Sequence, residues 1–278
     1  MSKPFVKWAG GKFRLAEQLI PFIPKNFDSS INKYIEPMVG SGGFFFKYAP
    51  NNAYLSDINN NLVITYNIIK NDVNSLIKML KEHKELHSKD YFYNSRDKFN
   101  LLIKIDNADL EVASLFIYLN RTCFNGLYRE NSKGVFNVPI GSYKNPLICD
   151  EKNLLLVSEV LQNVEICCHG FEDSLQKINT GDFVYLDPPY IPLDTSSFTK
   201  YSKNDFGEKH HEELSSFCDK IDEKGAFFML SNSDTKLTTD MYMKEGRFVE
   251  KFLVRRSIAS KASNRKKAKE VIITNYKI

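Results

Sequence analysis

The chain has 278 residues, 42% apolar and 26% Lys, Arg, Asp or Glu, a balance that excludes a disordered or collagen-like chain and allows one large or two modest domains. Thirty-eight basic residues against 34 acidic leave a net charge of only +4, which by itself demonstrates no nucleic-acid partner. The five cysteines include no C-x-x-C pair, and neither a signal peptide nor a long apolar run is present, so a cytoplasmic protein without disulfides, zinc site or membrane span is expected.

The first block runs to about residue 60. A Gly-bearing segment from Trp8 to Lys12 precedes an apolar-periodic helix signal at Leu15, Leu19 and Ile20, ended by Pro21 and Pro24. A strand-like run, YIEPMV, then leads into the small-residue turn Gly40-Ser41-Gly42-Gly43 and an aromatic helix start at Phe44 to Phe46. A second strand, AYLSD, ends at Asp57. Strand, turn, helix and strand in that order favour parallel pairing and α/β architecture.

From 61 to 162 the pattern is mostly helical, in NLVITYNIIK, NSLIKMLKEH and LEVASLFIYLNR. A polar segment from Thr122 to Asn145, rich in Asn, Gly, Tyr and Arg, reads as a loop or hairpin with exposed recognition chemistry. Strands return as VEICCHG, DFVYLD, GAFFMLSN, RFVEKFLV and EVIITNY, with a helix candidate at HHEELSSFCDKID. The last two flank Arg255 to Lys269, where seven of fifteen positions are Lys or Arg and none is acidic. The organisation expected is a domain of 1–60 and 163–278, interrupted by a helical domain at 61–162.

Asp187-Pro188-Pro189-Tyr190, directly after FVYL, is the sharpest chemical feature. Two prolines end a strand abruptly, since neither donates to a ladder and each fixes its own φ. They would hold a carboxylate, backbone carbonyls and an aromatic ring at a strand's C-terminal edge, where open α/β sheets bind ligands. A carboxylate and a carbonyl together can accept both hydrogens of an amino group, and the ring can stack on a heterocycle. A strand-capping Asp with a rigid turn is the competing reading of these four residues alone.

EPMVGSGG, from Glu36 to Gly43, has the small residues that let backbone approach a ligand, although a plain tight turn fits as well. Asp57, closing the next strand, strengthens the ligand reading, because an acid there accepts hydrogen bonds from ribose hydroxyls. Lys7-Trp8-Ala9-Gly10-Gly11-Lys12 lacks the phosphate-loop spacing, and Phe13 follows the lysine, so an NTPase is excluded. Trp8 could enclose a flat or cationic ligand, or simply pack at a helix start.

Together these motifs resemble the Dam-type, D12-class DNA adenine-N6 methyltransferases, which use S-adenosylmethionine. The resemblance covers nearly the whole chain. FVKWAGGK is similar to the family's N-terminal cofactor motif, EPMVGSGG to its Gly motif, and LSDIN to its ribose motif. DPPYIPL with FTKY (Phe198 to Tyr201) resembles the catalytic motif, and LSNSDT, RRSIAS and NRKK resemble C-terminal segments. The resemblance implies a Rossmann-like methyltransferase sheet with a mostly helical target-recognition domain inserted. It also implies a monomer acting on double-stranded DNA, with S-adenosylmethionine and no metal.

By the same resemblance, Trp8, Gly11, Lys12, Glu36, Gly40 and Gly42 belong to the cofactor pocket, with Asp57, Phe171 and Asp187. Asp187, Pro188 and Tyr190 would hold the target base, flipped from the duplex. Asp187 and the Pro188 carbonyl would accept the amino hydrogens and stabilise charge developing at nitrogen. Phe124, Asn125, Leu127 and Arg129, with Asn137, Pro139 and Tyr143, match the family's recognition hairpin, which reads GATC. Arg129 suits bidentate contact with guanine, Leu127 and Pro139 suit thymine methyls, and Phe124 falls where relatives wedge an aromatic into the duplex. Lys7 would contact the first guanine. Arg129 and Lys7 could otherwise be phosphate contacts or solvated side chains. Arg255, Arg256, Arg265, Lys266 and Lys267 would grip phosphates, making binding salt-dependent.

Two rival functions use much of the same sequence. Methylation of cytosine N4 needs a related exocyclic-amine site, and a non-catalytic DNA-binding protein could hold the cofactor. The motif order and the Asn125-Gly126-Leu127 and Asn137-Val138-Pro139 pairing favour adenine, and the intact DPPY favours an enzyme. His83 and His87 at i, i+4 read as a solvated helix face rather than a metal pair. His210-His211 reads as an exposed helix start, and Cys167-Cys168 as buried structure.

Overall fold

The computed structural model of the chain describes residues 1–105, 109–192, 206–255 and 267–278. Among these residues, seven strands form one mixed sheet: β1 (Tyr34–Glu36), β2 (Ala53–Asp57), β3 (Val164–Cys168), β4 (Phe183–Leu186), β5 (Phe227–Ser233), β6 (Phe248–Arg255) and β7 (Lys267–Thr274). Their order is β3-β2-β1-β4-β5-β7-β6. β1 pairs in parallel with β2 and β4, and β4 with β5, whereas β7 runs antiparallel to β5 and β6. This is the α/β, Rossmann-like sheet expected. Its order reverses between β1 and β4, the place where such sheets bind ligands beyond the C-terminal strand ends.

Every residue of β1 and β4 is buried, the continuous pattern of parallel strands covered on both faces. The run YIEPMV yields only three strand residues, because Pro37 has no N–H to continue the ladder. Likewise, the first helix is a single turn, α1 (Ala16–Leu19). It passes into a 3-10 turn, Ile20–Phe22, that takes Pro21 at its start, where a missing N–H costs nothing.

The chain divides into two compact units, the first of Met1–Glu17, Val39–Ala49 and Asp57–Cys168, the second of Gln18–Met38, Pro50–Ser56 and His169–Ile278. Besides α2 (Gly43–Tyr48), the first holds α3 (Asn60–Leu86), α4 (Lys89–Leu102), α5 (Asp109–Thr122) and α6 (Glu151–Leu161). α3 joins the two helical patterns read from the sequence. It kinks at Asp72 (φ −147°, ψ 51°), whose carboxylate then accepts the Ser75 N–H at 3.4 Å. Asn59, Ser88 and Asp150 cap α3, α4 and α6 by accepting backbone N–H groups of their first turns. The second unit adds α7 (Glu208–Glu223) and α8 (Lys236–Tyr242), the latter capped by Thr235. No helix among the described residues is long and apolar enough to cross a membrane.

Three expectations for bland residues are corrected here. His83 is only 7% exposed, with its ring nitrogens on the Tyr91 hydroxyl (2.7 Å) and Ser114 Oγ (3.2 Å), and half-buried His87 meets the Tyr118 hydroxyl at 2.9 Å. This is an internal His–Tyr cluster, not a solvated face. His211 is buried as well, 2.7 Å from the Tyr242 hydroxyl. Conversely, Cys168 is exposed and Cys167 half-buried, because β3 forms an edge of the sheet.

Burial lowers both His83 and His211 from the usual 6.5 to about 4. An unfolded chain takes up these protons as pH falls through 6.5, whereas the folded chain resists until about 4. Stability is therefore present above 6.5 and lost between 6.5 and 4, at a limiting slope of roughly 1.4 kcal/mol per pH unit for each histidine. Melting curves across that window should show the loss, and His83→Gln should flatten it. An unchanged slope in His83→Gln would assign the effect to other groups.

Candidate functional site

In the second unit, the Asp-Pro-Pro-Tyr motif begins at the residue directly after β4. Asp187 and Tyr190 are half-buried, Pro188 buried and Pro189 exposed. The next residue ties the motif to the neighbouring strand: the Ile191 N–H donates to Oδ1 of buried Asn232 on β5, at 3.0 Å. The Tyr190 hydroxyl donates to Glu270 Oε2 on β7, at 2.9 Å. On β1, the Tyr34 hydroxyl donates to Glu36 Oε2 at 2.5 Å, and on β4 the Tyr185 hydroxyl shares a 3.0 Å hydrogen bond with Ser231 Oγ.

These three phenols are all held well above the usual tyrosine range. Burial is the main cause for each, followed by Glu36 for Tyr34 and by Asp187 for Tyr185 and Tyr190. They stay neutral donors at ordinary pH. A site that gathers Asp187, Glu36 and Glu270 around neutral phenols suits a centre that becomes positive during reaction, such as an attacked amine. Phe171, on the same unit, is buried edge-on against Phe217, with ring centroids 5.4 Å apart.

In the first unit, the N-terminal motif and the Gly turn interlock. Gly40 has φ +49°, and a Cβ there would lie 2.8 Å from Trp8 Cδ1, so only glycine admits the indole. Gly42 is buried against Tyr66 and Phe46 and donates its N–H to the Val39 carbonyl at 2.8 Å. Exposed Gly11 turns back to donate to the Trp8 carbonyl, and buried Lys12 donates to the Gly10 carbonyl at 2.8 Å. Trp8 itself is half-buried and stacks on Tyr128, with centroids 5.8 Å apart and planes inclined by 20°.

Asp57 is held at both oxygens, by the Asn59 N–H and the Gly40 N–H, each at 2.9 Å. Burial raises its pKa, while these backbone donors oppose the rise. Each carboxyl oxygen has lone-pair capacity left for a hydroxyl. A fixed, half-buried carboxyl next to a glycine turn and an indole is a donor–acceptor set that fits a nucleoside.

The segment from Thr122 to Asn145, expected from the sequence to be a recognition loop, contains two isolated antiparallel bridges, Cys123↔Ile140 and Glu130↔Phe136. At its base, beside the Cys123↔Ile140 bridge, Asn125 (φ 55°) and Gly126 (φ 65°) turn the chain and leave Phe124 51% exposed. Leu127 is half-buried and Pro139 exposed. Arg129 is exposed, and its Nε donates to Asn137 Oδ1 at 2.8 Å, which aims the guanidinium. Lys7 crosses Gly126, where a Cβ would strike its side chain, and its Nζ lies 4.0 Å above the ring of exposed Tyr143.

Asn120 joins the two pieces. Its amide accepts the Lys7 N–H and donates to the Lys7 carbonyl, both at 2.8 Å, and donates to the Gly126 carbonyl at 3.0 Å. Sequence reasoning missed Asn120, Asn232 and Glu270. Asn232 lay in the LSNSDT segment without a role assigned to it, and neither Asn120 nor Glu270 stands in a motif that points to a partner.

Arg255 and Lys267 are register partners at the ends of β6 and β7. Arg256, Arg265 and Lys266 lie outside the described residues, as does Phe198–Tyr201. No group of three or more His, Cys, Asp or Glu able to hold a metal occurs among the described residues.

The profile of the D12 class N6 adenine-specific DNA methyltransferase family matches residues 8–256. The chain is 43% identical, over 290 residues and 99% of each chain, to the Type II methyltransferase M.MjaIII of Methanocaldococcus jannaschii. Over 279 residues it is 39% identical to the Type II methyltransferase M1.LlaDCHI of Lactococcus lactis subsp. cremoris, covering 99% of this chain and 95% of that one. It is 35% identical to the DNA adenine methylase of Escherichia coli K12 over 274 residues, 98% of this chain and 94% of the other.

Proposed function

Since the chain belongs to the D12 class of N6 adenine-specific DNA methyltransferases, we propose that it methylates the adenine of GATC in duplex DNA, from S-adenosylmethionine, on a base rotated out of the helix. The observation that carries the chemistry is the acceptor-rich end of β4. Asp187 comes directly after the strand, and the backbone beyond it is fixed by two prolines and the Ile191–Asn232 hydrogen bond. An adenine amino group is a poor nucleophile because its lone pair is delocalised into the ring. Asp187 and the Pro188 carbonyl accept its two hydrogens, favour a pyramidal nitrogen and stabilise the positive charge that grows there.

Tyr190 stacks on the base. S-adenosylmethionine, when bound, supplies a methyl group already activated on a sulfonium. In the first unit, Asp57 accepts its ribose hydroxyls, and Trp8, Lys12 and the glycine turn complete that cofactor set; the second unit's own cofactor residues are Glu36 and Phe171. No metal is needed for in-line displacement of this kind. Holding two reactants in line can remove on the order of 7–11 kcal/mol from a barrier in favourable cases.

Sequence reading falls to Lys7 at the first guanine, Arg129 at the second, and Leu127 and Pro139 at thymine methyls, with Phe124 wedged into the duplex. Asn125, Asn137 and Tyr143 complete the reading surface. The basic residues from Arg255 to Lys267 hold phosphates and give binding a steep salt dependence.

Two measurements bear on these assignments. Nucleoside analysis of a methylated duplex should yield N6-methyladenine, and N4-methylcytosine would overturn the proposal. Gly40→Ala forces a side chain onto Trp8 at a left-handed backbone position, costing at least about 1 kcal/mol in stability. Calorimetric titration should find its S-adenosylmethionine affinity reduced; unchanged affinity would remove Gly40 and Trp8 from the pocket.

A further inference from the structure

We propose that Glu270 is a positioning residue for Tyr190, fixing the aromatic ring by accepting the hydrogen bond from its hydroxyl. This rests on the reading of Asp187-Pro188-Pro189-Tyr190 as the base-holding motif. Glu270 opens the run EVIIT of β7, and a buried carboxyl is costly unless it has a partner. It is nonetheless 7% exposed, and Tyr190 supplies a partner at 2.9 Å.

Topology explains why the acid stands there. β7 runs antiparallel, so its early residues lie at the edge where β4 and β5 end, and Glu270 is the register partner of Ser233, the last residue of β5. The backbone around Tyr190 is already fixed by Pro188, Pro189 and the Ile191–Asn232 hydrogen bond. Backbone restraint alone leaves the side chain able to rotate, and a hydrogen bond at the far end of the ring stops that rotation. A stacking platform gains from this, because misplacing a reacting group by about an ångström can cost a hundredfold in rate.

The phenol is suited to the task. Burial and its acidic neighbours keep it protonated, so it remains a donor throughout the working range of pH. Glu270 bonds the base-holding tyrosine, so its loss should separate base placement from cofactor binding.

The test uses the full chain, single-turnover methyl transfer, and duplexes carrying 2-aminopurine at the target position to report base stacking. Glu270→Ala and Tyr190→Phe should each slow transfer by about ten- to a hundredfold and weaken the stacking signal, the range set by base–aromatic stacking. Their double variant should be no slower than either alone, since both remove one bond. Glu270→Gln keeps a carbonyl acceptor and should stay within about threefold of the wild type. Cofactor affinity should hold in all of them.

Full activity in Glu270→Ala, losses that multiply in the double variant, or a Glu270→Gln as slow as Glu270→Ala would overturn the inference. If Glu270→Ala does not fold, Tyr190→Phe decides: an undiminished rate overturns the inference, and a loss matched by its double with Glu270→Gln supports it. A wild-type chain that methylates no adenine would instead sink the reading of the motif itself.

Discussion

Asp187→Ala is expected to slow methyl transfer by at least about two orders of magnitude, the usual cost of removing one group aimed at developing charge. The variant should keep its melting temperature and its folded structure. Asp187 is half-buried and lies just past the last residue of β4, so no strand pairing depends on its side chain. The substitution removes an acceptor for the amino hydrogens, which nothing else at that position replaces. Asp187→Asn tests the point more finely, since it keeps the shape but offers a weaker acceptor and should also be slow. Turnover retained in Asp187→Ala would refute its assignment, whatever the specificity proves to be.

Arg129→Ala is expected to relax base preference more than it weakens binding. A bidentate arginine–guanine contact is worth about 1–3 kcal/mol of discrimination, roughly five- to a hundredfold in relative rate. Asn137 restrains the side chain proposed to make that contact. Asn137 accepts from Arg129 Nε at 2.8 Å, while the Asn137 N–H donates to the Arg129 carbonyl at 3.3 Å, so the loop holds the guanidinium at a fixed attitude. Asn137→Ala should therefore repeat part of the defect without removing the charge. Competition between cognate duplexes and single-base variants measures the effect. Equal losses on every duplex would make Arg129 a phosphate contact.

The parts of this molecule that could be read from its sequence are those fixed by local chemistry. Two prolines end a strand wherever they occur, so the Asp187–Tyr190 motif was legible with its geometry. The same holds for Asp57 at the end of β2. Glu270, Asn232 and Asn120 were not legible, because their partners are set by strand register and helix packing across long sequence separations. Glu270 reaches Tyr190 only because β7 runs against β5.

The histidines were misread for a different reason. His83 lies among charges in K-E-H-K-E-L-H, yet it follows Leu80 by three and Leu76 by seven, which places it on the buried stripe of α3. His211 likewise precedes Leu214 by three and Cys218 by seven in α7. Helical spacing outweighed the charge of the neighbours in both. α4 carried too faint a signal, since its buried residues are only Phe92, Ser95 and Phe99. The glycines show the opposite lesson: Gly40 was read for what it lets a ligand reach, and the structure adds that Trp8 occupies the space of its missing side chain.

One chemistry is joined here to one DNA sequence, and a single measurement addresses both. The full chain is incubated with methyl-labelled S-adenosylmethionine and duplexes that differ only in one GATC, intact or with one base pair exchanged. Label is expected on N6 of the GATC adenine, with little on the altered duplexes. Equal labelling of intact and altered duplexes, or label recovered on cytosine, would contradict the proposed function.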